Sequence, residues 1–487
     1  MVQASDTYRL NGPLRIDLES AAFKRDPFPT FAAMRAAGPV IPVKLPFVGS
    51  CWVTTTHAAT LAMVKDNELF VQEGRHAGKS GVAGMQWWMP SSFRLFANNM
   101  LLKDEPDHRR LRKLVDKAFQ RRDVQAMRGR IEQIANQLLD GFAGLEEVDL
   151  VGSYARRLPL DVICELLGLP HQDRETFAGW TKAMLSIKGP WSIALAYGSL
   201  MKMLNYVRGQ IDACRREPRE GLISDLVRAE ADGDKLDENE LLSMVLLLLV
   251  AGFETTTHLI EDSVIALEQN PEQKAYLFAD PVHRMERAVE ELARFTSPVE
   301  STKPRFVSRD TEFFGQPLRR GDFILAFVAA ANADPAQFVH PEQLQLDRFP
   351  NPHLVFSSGI HFCLGMQLAR VEAQSALTRL YARYPELQIV APDKLEWIER
   401  LGIRGVKALP VRLNASRARL AALRVQPMAS ESGQRAARPH GISPSSHAED
   451  QSWQWCARKS TSMCRRKRFG RFSPTSSLSI RVSHLVL

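Results

Sequence analysis

The stretch Phe356-Ser-Ser-Gly359-Ile-His361-Phe-Cys363-Leu-Gly365-Met-Gln-Leu-Ala-Arg370 decides how the rest of the chain is read. It reads as a loop that delivers Cys363 to the start of a helix beginning near Leu364. A helix N-terminus offers free N–H groups and the positive end of the helix dipole. Both favour thiolate over thiol, the form a metal ligand needs. Gly359 permits a tight turn, and Gly365 lets the backbone pass close to a flat partner. Phe356 can cover the sulfur and keep water away. One thiolate with no second Cys or His ligand beside it does not suit zinc, which takes four protein ligands or three plus water. It suits an iron whose in-plane positions are filled by a macrocycle, where thiolate ligation favours O–O cleavage. Against this stand two plainer readings: a buried inert cysteine, the usual fate of a lone Cys, and a catalytic Cys–His pair.

The second informative stretch lies inside the longest helical pattern. Asp237 begins it, with Glu240 three residues on as a capping pair. The pattern runs to about Gln269 and is stopped by Asn270-Pro271. In its middle stands Ala251-Gly252-Phe253-Glu254-Thr255-Thr256. A carboxylate within an apolar run is costly unless it has partners or a task. Gly252 costs about 1 kcal/mol against Ala in a helix interior. Thr255 can bond a preceding carbonyl and bend the helix. A local opening of the helix is expected here. The alternative is a helix that simply leaves its buried stretch at Glu254.

The cysteine loop matches the signature F-x-x-G-x-H-x-C-x-G, and the helix resembles an A-G-x-[DE]-T-T site. On these two motifs the chain resembles a bacterial cytochrome P-450 over about 23–413. It departs from the pattern at Ser357, where many members have Gly, and has Glu254 where many have Asp. The resemblance implies a single heme-thiolate monooxygenase domain, mainly α with a small β portion (α+β), and heme b as cofactor. Cys363 would be the axial ligand of the iron. Glu254 would relay protons from solvent, and Thr255 would hydrogen-bond the oxygen substrate. His108, Arg112, Arg305 and His361 would hold the heme propionates, which need cationic or donor partners. His108 and Arg112, four apart, share one helix face. Glu291 and Arg294, an E-x-x-R pair, would join Arg348 in a structural network.

The face of the long helix that carries Thr255 also carries Leu247, Val250 and Ala251 by three-to-four spacing. These, with Val299, are expected to line the distal pocket. Trp87, Trp88, Met89, Phe93 and Phe96 precede the helix at 105–120, a region that covers the substrate in relatives. The pocket is expected to be apolar and to take a hydrophobic small molecule beside O2.

Composition and charge bound the rest. The chain has 487 residues, 45% of them hydrophobic, enough for a large core. Its net charge of +8 is uneven: 414–487 hold 13 Lys or Arg against 3 Asp or Glu, leaving −2 for 1–413. The basic character thus belongs to a tail rich in Ser and Arg without sustained periodicity, expected to be disordered. It argues for no nucleic-acid function in the main domain. Six cysteines show no CxxC pair, and a chain of this size points to a reducing compartment. Met1 to Leu10 holds Asp6 and Arg9 and does not read as a signal peptide. The apolar run Leu241–Phe253 is short of the roughly 20 residues a membrane span needs. A cytoplasmic protein is expected.

The tail is too small for a flavin or iron–sulfur domain, so electrons are expected from a separate ferredoxin and its reductase. Arg109, Arg110, Lys113, Lys117, Arg121 and Arg122 give one helix a basic surface suited to an acidic partner, or merely a solvated face. Two other functions compete with monooxygenation. A heme-thiolate peroxygenase would not need the Glu254–Thr255 pair, since peroxide already carries the protons. A non-catalytic heme sensor or electron carrier would not need an acid and an alcohol facing a pocket.

Overall fold

Helix boundaries follow local signals closely. In the computed structural model, which describes residues 16–45, 49–80, 99–120, 124–185, 190–231, 236–413 and 478–479, the longest helix is Glu238–Gln269. Asp237 accepts from the Glu240 N–H while the Glu240 side chain accepts from the Asp237 N–H, a complete capping box. Asn270 closes the helix, and Pro271 opens the next one at its first turn, where a missing N–H costs nothing. The helix is buried over Glu240–Leu249 and again over Thr256–Leu267. Between these stretches, Val250, Ala251, Gly252, Glu254 and Thr255 reach accessible surface. At 32 residues it is long enough to cross a membrane, but 72% of its apolar window is buried within the protein. It is the core helix of the fold.

The expected opening at Gly252 is not present: the helix runs unbroken through 251–256. The glycine serves packing instead. A Cβ there would lie 2.9 Å from the Ile163 side chain, so Gly252 lets the helix Arg157–Leu167 approach closely.

Around this core pack Asp107–Gln120, Arg128–Asp140, Pro281–Thr296 and Met366–Arg383. One side carries a mixed six-stranded sheet. Val40–Leu45 pairs antiparallel with Gly49–Thr54, which runs parallel to Phe323–Ala326. Phe323–Ala326 pairs antiparallel with Arg305–Val307, and that strand with Phe70–Val71. The sheet thereby fixes Arg305 opposite Ile324. The architecture is mainly helical with a small β portion.

Glu291, Arg294 and Arg348 come together as one buried network. Arg294 donates to both Glu291 oxygens at 2.7 and 2.8 Å, and Arg348 Nε to the same carboxylate at 3.0 and 3.1 Å. The remaining donors bond backbone carbonyls of Asn332, Pro341 and Val339. Removing one member of such a buried pair typically costs about 3–5 kcal/mol, because the other charge is left unpaired. The network fastens the helix Pro281–Thr296 to the loop that leads into the cysteine segment.

Residues 414–477 and 480–487 lie outside the described residues, and with them most of the basic tail. Leu478–Ser479 add two residues parallel to Val43 and Lys44 at the edge of the sheet.

Candidate functional site

Two sharp turns present Cys363. Gly359 has φ +73°, and a Cβ there would lie 2.6 Å from the Val64 carbonyl oxygen and 3.2 Å from Lys65 Cα. Only glycine fits. The Cys363 N–H donates to the Phe356 carbonyl at 2.9 Å, closing the loop. Gly365 caps the helix Met366–Arg383, and no protein atom lies within 4 Å of where its Cβ would be. The reason for glycine there is not contact with protein.

Ser357 holds φ +60°, in the left-handed region. A non-glycine residue pays about 1–2 kcal/mol there, while glycine carries an entropic penalty of about 0.5–1 kcal/mol. Ser357→Gly is therefore expected to raise stability by about 0.5–1 kcal/mol, the difference between these terms. Denaturant unfolding of the two proteins checks this, and a destabilised variant would show that the serine hydroxyl makes a contact that outweighs the strain.

Among the described cysteines, Cys51, Cys164 and Cys214 are buried and Cys363 alone is exposed. Its thiol is nonetheless pushed above its ordinary range. The crowding of protein around it raises the pKa, and the Gly365 N–H, Arg112 and Arg370 only partly offset this. The expected thiolate stabilisation by the helix terminus is thus incomplete. A metal ion bound there would supply the rest, since a coordinating thiol is deprotonated outright.

The Phe356 ring is held from outside by groups that sequence reasoning missed. The Arg370 guanidinium lies 5.1 Å from its centroid, and the His353 ring 5.9 Å. Glu290 grips both, bonding Arg370 at 2.6 Å twice and His353 at 3.1 Å. Burial would raise the Glu290 pKa, but His353 and Arg370 bring it down to about 2. The only local signal was Glu290 standing beside Glu291.

His108, Arg112, Arg305 and His361 converge from a helix, a strand and the cysteine loop. The rings of His108 and His361 meet edge to face with centroids 4.5 Å apart. Arg112 donates to the Phe362 carbonyl at 2.7 Å and to Asp116 at 3.0 Å. His361 is driven down to about 2 by burial and by the charges of Arg305, His108 and Arg112. Burial likewise lowers Arg305 to about 10 and depresses His108. His108 Nδ1, His361 Nδ1 and Arg305 Nε are buried without a hydrogen-bond partner. Each unpaired buried donor costs about 1–3 kcal/mol. The charged Arg305 and the ring N–H groups of two neutral imidazoles fit a pair of carboxylates, as a heme carries on one edge.

The accessible window of the long helix bears the other candidates. Glu254 Oε1 accepts from Arg400 at 2.9 Å. Burial alone would raise its pKa, but His258 and Arg400 hold it near 2, so it is a carboxylate at neutral pH. Thr255 Oγ1 donates to the Ala251 carbonyl at 3.1 Å. Leu247 is buried, Val250 and Val299 half-buried and Ala251 exposed. Arg400 was not foreseen; it comes from a segment 146 residues away, and no local pattern points to it. Trp87, Trp88, Met89, Phe93 and Phe96 lie outside the described residues.

The expected basic face is narrower than the sequence implied. Arg109, Lys113 and Lys117 are exposed, with Arg109 Nε 3.2 Å from Glu105. Arg110 forms an ion pair with Glu240, tying its charge to the start of the long helix. Arg121 and Arg122 lie outside the described residues.

This arrangement agrees with what the chain is similar to. The sequence model of the cytochrome P450 family matches residues 195–385. The chain is 37% identical over 396 residues to the polyketide biosynthesis cytochrome P450 PksS of Bacillus subtilis, covering 80% of this chain and 97% of that one. It is 37% identical over 397 residues to a vitamin D(3) 25-hydroxylase of Pseudonocardia autotrophica, covering 81% and 96%. The solved structure of PksS superposes with a TM-score of 0.74 over 82% of this chain and 99% of its own. With a relative above 30% identity matched over nearly its whole length, and a site that offers one accessible thiol and a cluster of unpartnered buried nitrogens around Arg305, the chain belongs to the cytochrome P450 family and is a heme-thiolate monooxygenase.

Proposed function

We propose that Cys363 is the axial ligand of the heme iron and that His108, Arg112, Arg305 and His361 hold the propionates. The observation that carries this reading is the cluster of three unpartnered buried nitrogens on His108, His361 and Arg305, close to the loop of the one exposed thiol among the described cysteines. Phe356, clamped through Arg370 and His353, shields the sulfur, and Gly365 leaves space beside it. When bound, the heme supplies the binding and reductive activation of dioxygen. Glu254 and Thr255 are the acid and alcohol that bring protons to that reaction. Leu247, Val250, Ala251 and Val299 line the substrate side, and the substrate is a hydrophobic small molecule. Trp87, Trp88 and Phe93 are assigned to the same pocket from the sequence alone.

Electrons come from a separate ferredoxin and its reductase in the cytoplasm. The exposed charges of Arg109, Lys113 and Lys117 support this, because Arg112 of the same helix bonds the cysteine loop at Phe362. Monooxygenation is favoured over peroxygenation because Glu254 and Thr255 share the accessible window of the long helix, and peroxide, which already carries its protons, would need no such pair. The monooxygenase domain is 1–413, with 414–487 a basic tail.

The full chain and a chain ending at Leu413 are assayed side by side. Both are expected to give the thiolate-type carbonyl band on reduction and to consume electrons from a ferredoxin and reductase. The short chain loses only the two-residue edge strand among the described residues. If turnover proceeds with peroxide but not with the ferredoxin system, the peroxygenase reading replaces this one. If only the short chain fails to take up heme, the domain boundary is wrong.

A further inference from the structure

Beyond Thr255 the long helix carries a second charged turn that the assignments above do not use. Glu254, His258 and Glu261 recur at i, i+4 and i+7, on one face. The His258 ring is buried. Its Nδ1 lies 2.8 Å from Glu261 Oε1, and its Nε2, without a hydrogen-bond partner, lies 3.9 Å from Glu254 Oε1. Glu261 is fully buried and is fixed by the Val406 N–H at 2.9 Å. Gly405 closes the site: a Cβ there would lie 2.3 Å from His258 Nδ1 and 2.4 Å from Glu261 Oε1. The backbone at 405 thus leaves room for an imidazole clamped between two carboxylates, and for little else.

The charged groups around His258 come from several elements. The helix itself supplies Glu254, Glu261 and Asp262. The segment 398–406 supplies Arg400, bonded to Glu254, and Arg404, 3.7 Å from Asp262. Lys303 lies near Glu254 and Arg400, and the buried Lys24–Glu300 pair stands behind Arg404. Burial opposes a charge on His258, but Glu261 and Glu254 outweigh it and raise its pKa to about 9. At neutral pH the imidazolium therefore faces a carboxylate. An opposite charge this close favours the ionised form of both groups, so the pair stays carboxylate and imidazolium and the ring fixes the place of the Glu254 carboxylate.

We propose that His258 is a positioning residue that acts through Glu254: its imidazolium, clamped by Glu261, keeps the Glu254 carboxylate ionised and fixes where it points, while Glu254 itself exchanges protons with water in the accessible window. It rests on Glu254 serving as the proton relay.

The test uses the heme-loaded protein with isotope-labelled histidine, reduced under carbon monoxide so that it is diamagnetic. The His258 resonance is identified by its loss in His258→Gln. It is expected to titrate near pH 9, and to do so at least one unit lower in Glu261→Gln, which keeps an acceptor for Val406 but removes the anion. In parallel, peroxide released per electron pair consumed is followed from pH 6 to 10 with myristic acid as an apolar probe. Peroxide is expected to rise in wild type as His258 loses its charge, and at lower pH in Glu261→Gln. In His258→Gln it is expected to be high throughout, with proton delivery slowed about tenfold, below the usual 10²–10⁴ of a positioned acid because Glu254 remains.

A ring that titrates below pH 7 overturns the proposal. So does a peroxide limb that stays in place while the ring's midpoint moves, since His258 would then be structural. Loss of the limb in Lys303→Gln also overturns it, by making the lysine the charge that fixes Glu254. Should His258→Gln fail to load heme, Glu261→Gln carries the comparison alone. Glu254→Gln separates the two levels. If it releases no more peroxide than wild type, the relay reading itself fails. If it releases peroxide while His258→Gln does not, only the role of His258 fails.

Discussion

Replacing Cys363 with serine is expected to abolish the thiolate-type Soret band of the reduced carbonyl complex and all turnover dependent on it. The loop should survive the change, because Gly359 and the Cys363 N–H bond to Phe356 set its path and neither involves the sulfur. The electronic effect is another matter. Protein around the cysteine pushes its thiol up rather than down, and the Gly365 N–H, Arg112 and Arg370 recover only part of that. An iron ligated there would complete the deprotonation. A serine hydroxyl, far less acidic than a thiol, is not ionised by the same help and does not donate electron density as thiolate does. Serine at Cys164 or Cys214, both buried away from solvent, should leave the band where it is. A Cys363→Ser protein whose band stayed in place would sink the ligand assignment and with it the reading of the whole loop.

What the sequence made legible and what it hid follow from distance along the chain. The capping box at Asp237 and Glu240, the stop at Asn270-Pro271 and the pair Glu291–Arg294 are relations across one to four residues, and each is formed. The glycines were only half legible. Gly359 was read as a turn and is one, while Gly252 was read as an opening and instead admits Ile163. Its partner lies on another helix, and no pattern within 238–269 contains that fact. The strain at Ser357 was signalled only by the glycine that many family members carry there: its φ is imposed by the loop closure, which the residue's own preference opposes.

Partners across long separations were not legible at all. Arg400 reaches Glu254, Val406 fixes Glu261, and Lys24 meets Glu300. These contacts convert a lone acidic residue in an apolar helix, which looked costly, into one paired member of a charged cluster. Arg110 illustrates the converse. It read as one of several surface charges for docking, whereas the fold pairs it with the cap of the long helix. Charge counted along a helix overstates what that helix presents to a partner.

Thr255→Ala is expected to leave heme uptake and the carbonyl band intact and to uncouple electron consumption from product. Thr255 bonds within its own helix at Ala251, while Cys363 and the four anchors stand on other elements, so cofactor binding has no reason to change. The hydroxyl now spends its proton on the Ala251 carbonyl at 3.1 Å. Rotation about one side-chain bond would redirect it, at the cost of one neutral hydrogen bond of about 0.5–1.5 kcal/mol. That cost is small against the value of a donor aimed at developing charge in a site shielded from water, whose loss typically slows reaction about 10²–10³-fold. Alanine also frees the Ala251 carbonyl, which water in the accessible window can then meet. Protons should still arrive through Glu254, but without a hydroxyl to direct them they end in hydrogen peroxide. The decisive measurement is product and peroxide formed per electron pair consumed: product should fall steeply and peroxide should rise to account for it. If Thr255→Ala couples as well as wild type, Thr256 does not automatically inherit the role. It is buried and lies against Glu372 on the helix that follows the cysteine, so the directing group would have to be sought on the Val299 side of the pocket.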